Sequence, residues 1–238
     1  MPPTARALSF DLDGTLLDGG GNQEALRLAC AEIAAATDGL SEESLLAANS
    51  AAWQGYWPEV EARWALGAVD SATVSGETWR RALRVCGCED ESLVSLARDV
   101  HRRHQRAGLR LFDDVRDVLA SLSARFPIAL VTNGAADTQR DALRLLRIED
   151  QFRAIVISAE VGAAKPDRAI FEHAQDRLGV ARESVWHVGD NLATDVAGAR
   201  NAGLTAVWLN RRGTVQREGP RPDYEIRSLS ELKSLLAR

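Results

Sequence analysis

Four short stretches of this 238-residue sequence carry side chains suited to phosphate and metal-ion chemistry: Asp11-Leu12-Asp13-Gly14, Thr132-Asn133-Gly134, Lys165-Pro166 and Gly189-Asp190-Asn191. Asp11 and Asp13 stand two residues apart, so an extended backbone aims both carboxylates to one side. Asp11, ionised at neutral pH, is suited to attack phosphorus and form an acyl phosphate. Asp13 is then placed to protonate the leaving alcohol and later to activate water. Asp190 completes an all-oxygen set of the kind Mg2+ takes, and such an ion would offset the repulsion between a carboxylate and a phosphate dianion. Thr132 and Asn133 offer hydroxyl, amide and main-chain donors to an anion. Lys165 is the one lysine before Lys233 in a chain that otherwise takes its positive charge from arginine. A compact ammonium suits close contact with aspartyl and phosphoryl charge. Each stretch also has a plainer reading: a turn with solvated acids for Asp11 to Gly14, an Asn-Gly turn, a helix N-cap for Asp190, and a surface charge for Lys165.

The surrounding elements decide whether these stretches can meet. Ala7–Phe10 is a short apolar run that reads as a buried strand ending at Asp11. From Asn22 to about Gly108, apolar residues recur at three-and-four spacing with polar faces between them, which predicts helices throughout. After Gly108 the pattern becomes short β-branched runs, near residues 128–131, 154–157, 185–188, 206–208 and 224–226, separated by amphipathic helices. This is the pattern of βα units and a parallel sheet, so the expected fold class is α/β. A catalytic core is expected from residues 1–16 and 109–238, with an all-helical cap domain inserted over residues 17–108. The glycine run from Gly19 to Gly21 and the pair Ala107-Gly108 read as hinges. No Lys-Ser/Thr follows those glycines, so they do not form a P-loop. In a parallel sheet the strand ends share one edge, and the four polar stretches would converge there.

In that order and at those strand ends, the stretches resemble the four motifs of the haloacid dehalogenase superfamily, the first extending through Thr15 and the last through Thr194-Asp195. The resemblance spans about residues 7–208. It implies a Rossmann-like core with a helical cap after the first motif. It also implies Asp11 as nucleophile, Asp13 as acid and base, and Mg2+ held by Asp11, the Asp13 carbonyl and Asp190. Thr132 and the Asn133 main chain would bind the phosphoryl group, Lys165 would bridge it to the nucleophile, and Asp195 would support the metal site or Lys165. Gly189-Asp190-Asn191 with Thr194-Asp195, followed by the run from Ala199 to Gly203, is similar to capped small-molecule phosphatases, phosphoglycolate phosphatases among them. Gln139-Arg140 after the second motif is similar to nucleotide and acylneuraminate phosphatase relatives. Dehalogenases of the superfamily share the nucleophile, but typically carry tyrosine in the place of Asp13 and lack the carboxylate of Asp190. Leu111-Phe112-Asp113 departs from the proline that relatives often carry on re-entering the core. The expectation is a Mg2+-dependent hydrolase of a small phosphomonoester through an aspartyl phosphate. A 2-haloacid dehalogenase, a sugar phosphomutase and a catalytically silent binding protein are the alternatives.

Composition sets the outer limits. Apolar residues make up 45% and charged residues 26% of the chain, ordinary values that exclude disorder and low-complexity classes. The formal charge of -5 lies wholly in residues 17–108, which hold 14 acids and 9 bases against 20 of each elsewhere. The acidic balance argues against nucleic-acid partners and the lack of a long apolar run against membrane partners, while the resemblance implies a small-molecule substrate; a monomer or homodimer is expected. No secretory signal or membrane span is visible, so a cytoplasmic location is expected. Cys30, Cys86 and Cys88 lack partners at metal-ligand spacing and read as reduced structural thiols. Trp53, Trp57, Trp64 and Trp79 fall in the cap. The near-heptad spacing of the first three predicts helical core, with a stacking wall for a base or sugar ring as the alternative. The run Arg98, Arg102, Arg103 and Arg106 reads as a solvated helix face.

Overall fold

The computed structural model describes residues 4–215 and 219–237. Six strands form one parallel sheet: β1 (Ala7–Phe10), β2 (Ile128–Thr132), β3 (Ala154–Ile157), β4 (Val185–Gly189), β5 (Thr205–Leu209) and β6 (Tyr224–Ile226). Their order is β3-β2-β1-β4-β5-β6. β1 is flanked on both sides and every one of its residues is buried, which is why it reads as an apolar run and not as an alternation.

Between β1 and β2 the chain forms α1 (Gly21–Ala36), α2 (Glu42–Ala65), α3 (Ser71–Val85), α4 (Glu91–Gly108) and α5 (Val115–Ser123). The remaining helices are α6 (Ala136–Leu146), α7 (Ser158–Val161), α8 (Arg168–Leu178), α9 (Ala197–Asn201) and α10 (Leu229–Leu235). Leu8, Phe10, Leu130 and Val188 pack on one face of the sheet against Leu119 of α5, Leu143 of α6 and Leu232 of α10. Ala7, Ala129, Val131 and Val156 pack on the other face against Phe171 of α8 and Ala199 of α9. The period of two along each strand thus makes a three-layer Rossmann-like α/β fold.

Helices α1 to α4 bury their own core, with Ile33, Leu45, Trp79, Leu83 and Ala97 at its centre. Part of this segment's acidity is structural. Asp70 accepts from the Thr73 N–H, Asp90 accepts from the Ser92 N–H, and Glu42 and Glu43 occupy the first turn of α2, all positions that favour negative charge. The two chain crossings lie side by side: Leu17 bridges Leu111, and the Asp18 carboxylate pairs with Arg110 at 2.9 Å.

The expectation that Trp53, Trp57 and Trp64 belong to the helical core fails. Trp79 is fully buried, but Trp53 is 42% exposed and Trp57 and Trp64 are half-buried. Spacing placed the three on one side of α2, but that side stays outside the buried cap core, which takes Trp79 instead.

His101 of α4 stacks edge-on against Trp79 with ring centroids 5.8 Å apart, and its Nε2 has no hydrogen-bond partner. Burial pulls its pKa from 6.5 down to about 4, with the nearby His104 adding to the effect. Between those values the unfolded chain binds a proton that the folded chain refuses, so stability falls as pH drops from 6.5 toward 4. The shift corresponds to about 3 kcal/mol at most. Denaturant titrations should show this acid limb in the wild type and a flatter one in His101→Phe. Equal slopes would contradict the assignment.

Candidate active site

The strand order reverses direction at β1 and β4, and the crevice above their carboxyl ends is where ligands enter sheets of this kind. Asp11 follows β1, Thr132 ends β2 and Asp190 follows β4, so three of the polar stretches share one edge. Lys165 comes from the loop between α7 and α8. Its Nζ donates to Asp11 Oδ1 at 2.5 Å and to Asp195 Oδ1 at 2.6 Å, with all three side chains buried. Burial alone would drive the lysine toward its neutral form, but the charges of Asp11 and Asp195 outweigh this and hold it protonated. Burial pushes the Asp11 carboxyl above the usual range, against the pull of Lys165. Asp195 is held low by Lys165, with His187 assisting, despite its own burial.

Asp195 reaches this position from a single π turn, Leu192–Val196, entered through Asn191. Asn191 Oδ1 accepts from the amides of Ala193 and Thr194, so Asn191 is the N-cap and the Asp190 carboxylate is left facing the cleft. The Asp190 carbonyl accepts from Trp208 Nε1 at 2.9 Å, which ties the loop to β5. Gly14, at φ +81°, passes beneath Asp190, and a Cβ there would lie 2.5 Å from Asp190 Oδ2.

Carboxylate oxygens of Asp11, Asp190 and Asp195 lie within 4.8 Å of one another, a hard-oxygen set that fits a divalent cation. Both oxygens of Asp195 already have donors, Lys165 on one and the Asn191 N–H on the other. Asp195 is therefore a support behind the set, and Asp11 and Asp190 are the carboxylates with an oxygen to spare.

Asp13 opens to solvent on the other side of Asp11. Gln139 Nε2 of α6 donates to Asp13 Oδ2 at 2.9 Å and to the Asn133 carbonyl at 3.3 Å. Crowding by protein atoms pushes the Asp13 carboxyl up in pKa, while the Gln139 hydrogen bond and Lys165 pull it down. Thr132 is buried at the end of β2. The Asn133 side chain clamps the Lys165 loop, donating to the Lys165 carbonyl at 2.9 Å and accepting from its N–H at 2.7 Å. Asn133 thus supports the lysine loop through its side chain, while its main-chain carbonyl accepts from Gln139.

Three participants were not assigned from the sequence. His187 lies beneath Asp195, with Nε2 3.4 Å from Asp195 Oδ1 and Nδ1 2.9 Å from Ser9 Oγ. Burial lowers its pKa against the opposing pull of Asp195. Polar residues inside apolar strand runs were the available signal, since Ser9 and His187 are register partners of β1 and β4. Ser158 accepts from the Gly134 N–H at 2.9 Å and donates to the Ala65 carbonyl of the cap at 2.6 Å. Nothing local in the sequence distinguishes it from a helix-start serine. Gln139 was singled out only through its motif, and its role depends on the turn of α6 that faces Asp13.

Fold and site define a Rossmann-like α/β protein with an acid–lysine cluster at the sheet's switch point and a helical insertion after its first strand. Residues 5–203 match the sequence pattern of the haloacid dehalogenase-like hydrolases, and the chain belongs to that family. It is 31% identical over 235 residues to N-acylneuraminate-9-phosphatase of Mus musculus, covering 97% of this chain and 93% of that one. Among solved structures, the HAD-hydrolase YfnB of Bacillus subtilis bound to magnesium superposes with TM-score 0.73 at 28% identity, over 99% of this chain and 100% of that one. A 2-haloacid dehalogenase of Pseudomonas syringae superposes with TM-score 0.72 at 29% identity, over 99% of each. Among the described residues no helix is long and apolar enough to cross a membrane.

Proposed function

We propose that this hydrolase is a Mg2+-dependent phosphomonoesterase acting on a small phosphorylated metabolite through an aspartyl phosphate on Asp11. The observation that carries the reading is Asp13, two residues past the nucleophile, gripped by Gln139 and open to the cleft. An alkoxide leaving group needs a proton and a halide does not, so a carboxyl group at this point favours ester cleavage over dehalogenation.

In this scheme Asp11 forms the bond to phosphorus as the ester P–O bond breaks, and Asp13 delivers its proton to the departing oxygen. Asp13 then takes a proton from the water that attacks the acyl phosphate, which returns both carboxyls to their starting states. Lys165 stays protonated, fixes the Asp11 carboxylate and faces the incoming negative charge. Thr132 and the Asn133 main chain receive the phosphoryl oxygens. Asp11, Asp190 and the Asp13 carbonyl would hold Mg2+, with Asp195 behind them. Bound there, the ion would neutralise charge between carboxylate and phosphate dianion.

The wild type is expected to hydrolyse alkyl phosphomonoesters with Mg2+ and to lose that activity with a chelator. Asp13→Asn should lose about 10²–10⁴-fold on an alkyl ester and much less in the first step on p-nitrophenyl phosphate, whose leaving group needs little protonation. Halide release from a 2-haloacid without metal, together with no phosphate release, would reverse the assignment.

A further inference from the structure

Trp53, Trp57 and Trp64 run along one side of α2 toward the site. Trp53 and Trp57 stack with ring centroids 4.6 Å apart and planes at 19°, and Trp57 meets Trp64 edge-on at 5.2 Å. Trp57 and Trp64 are seven residues apart, about 10 Å along a helix axis. Their contact therefore needs the two side chains to lean together along α2. The end nearest the site is held in place: Trp64 Nε1 donates to Ser71 Oγ at 3.0 Å, and Ser71 Oγ lies 3.0 Å from Thr138 Oγ1 of the core. A Cβ on Gly134, at φ +152°, would fall 3.0 Å from Trp64 Cη2 and 2.5 Å from Gln139 Nε2, the atom that grips Asp13. The aromatic strip thus starts at Gly134, beside the Gln139 amide that grips the proposed acid.

Exposing indole surface costs hydration free energy, and a half-buried strip of three is a departure from a cap whose remaining core is closed. The charge around the strip points to an uncharged group. Arg80 and Arg81 of α3, the helix against α2, are held by Glu77 and Glu91 and by Glu59 and Glu77, and Arg81 also covers the Tyr56 ring at 4.2 Å. Arg63, next to Trp64, leaves the helix about 100° round from it.

We infer that the Trp53–Trp57–Trp64 strip is the binding platform for the leaving group, and that this group carries an uncharged aromatic ring that stacks on the indoles. The inference rests on the phosphomonoesterase reading and extends it to substrate class. Aromatic stacking of this kind changes affinity by roughly tenfold or more when the platform is truncated.

The test compares kcat/KM for 1-naphthyl phosphate and a nucleoside 5′-monophosphate with that for glycerol 3-phosphate, in Mg2+, for the wild type, Trp57→Ala and Trp57→Phe. The wild type should favour the ring-bearing esters. Trp57→Ala should reduce that preference about tenfold through KM, and Trp57→Phe should restore most of it, with melting curves showing all three folded. Hydrolysis of glycerol 3-phosphate without any ring preference, or a preference unchanged in Trp57→Ala, overturns the inference and leaves the phosphomonoesterase standing. No phosphate release from any ester fells both. A wild-type dimer that Trp57→Ala dissociates would assign the strip to a second copy of the chain and overturn the inference as well.

Discussion

Asp11→Asn is expected to lower phosphate release at least about a thousandfold while leaving the fold intact, because an amide cannot form the acyl phosphate on which both steps depend. The substitution keeps the shape of the side chain. Lys165 keeps its second carboxylate, Asp195 at 2.6 Å, so the buried ammonium is not stranded. Melting temperature and substrate-analogue binding should therefore move little while turnover collapses. Acid-quenched wild type should carry a phosphoryl group on the peptide containing Asp11, and the variant should not. More than a tenth of wild-type turnover in Asp11→Asn would rule out the covalent route.

Lys165→Met is expected to be the most destabilising single change in the core. It leaves Asp11 and Asp195, 7% and 1% exposed at the side chain, without the cation that faces both. Breaking a buried pair from one side costs about 3–5 kcal/mol, because the stranded charge cannot recover its hydration. In a chain of this length that lowers the melting temperature by roughly 10 °C. The Lys165→Met/Asp195→Asn double variant should be less destabilised than the sum of the single changes, since it removes one stranded carboxylate along with the cation. Urea titrations of the four proteins measure this directly. A loss under about 1 kcal/mol in Lys165→Met would mean that water or a rearranged donor replaces the ammonium.

The fold class was legible because a parallel sheet buried on both faces writes itself as separated apolar runs, and Ala7–Phe10 and Ala154–Ile157 could be bounded from sequence alone. Chemistry at the strand ends was legible for a related reason. Carboxylates and a threonine where apolar strands stop, with one rare lysine in the loop between α7 and α8, stand out from the apolar text around them. The tryptophans of α2 show where such reading ends. Helical spacing reports which residues share a side, and it is silent on whether another element covers that side. Trp79 went into the cap core and the other three did not, with nothing in their local sequence to separate them.

The sequence by itself determined the residue types of the site, the strands that carry them and the helical text that interrupts the core. Only the tertiary structure decided who faces whom. Lys165 meets Asp11 across 154 residues, Gln139 meets Asp13 across 126, and His187 meets Ser9 across 178. Those pairings follow from strand order and register, which are global properties of the packed sheet, while periodicity and motif spacing are local ones. The same holds for the cap. Trp64 acquires a relation to the site only when Ser71 and Ala65 dock onto Thr138 and Ser158, contacts that no local pattern encodes.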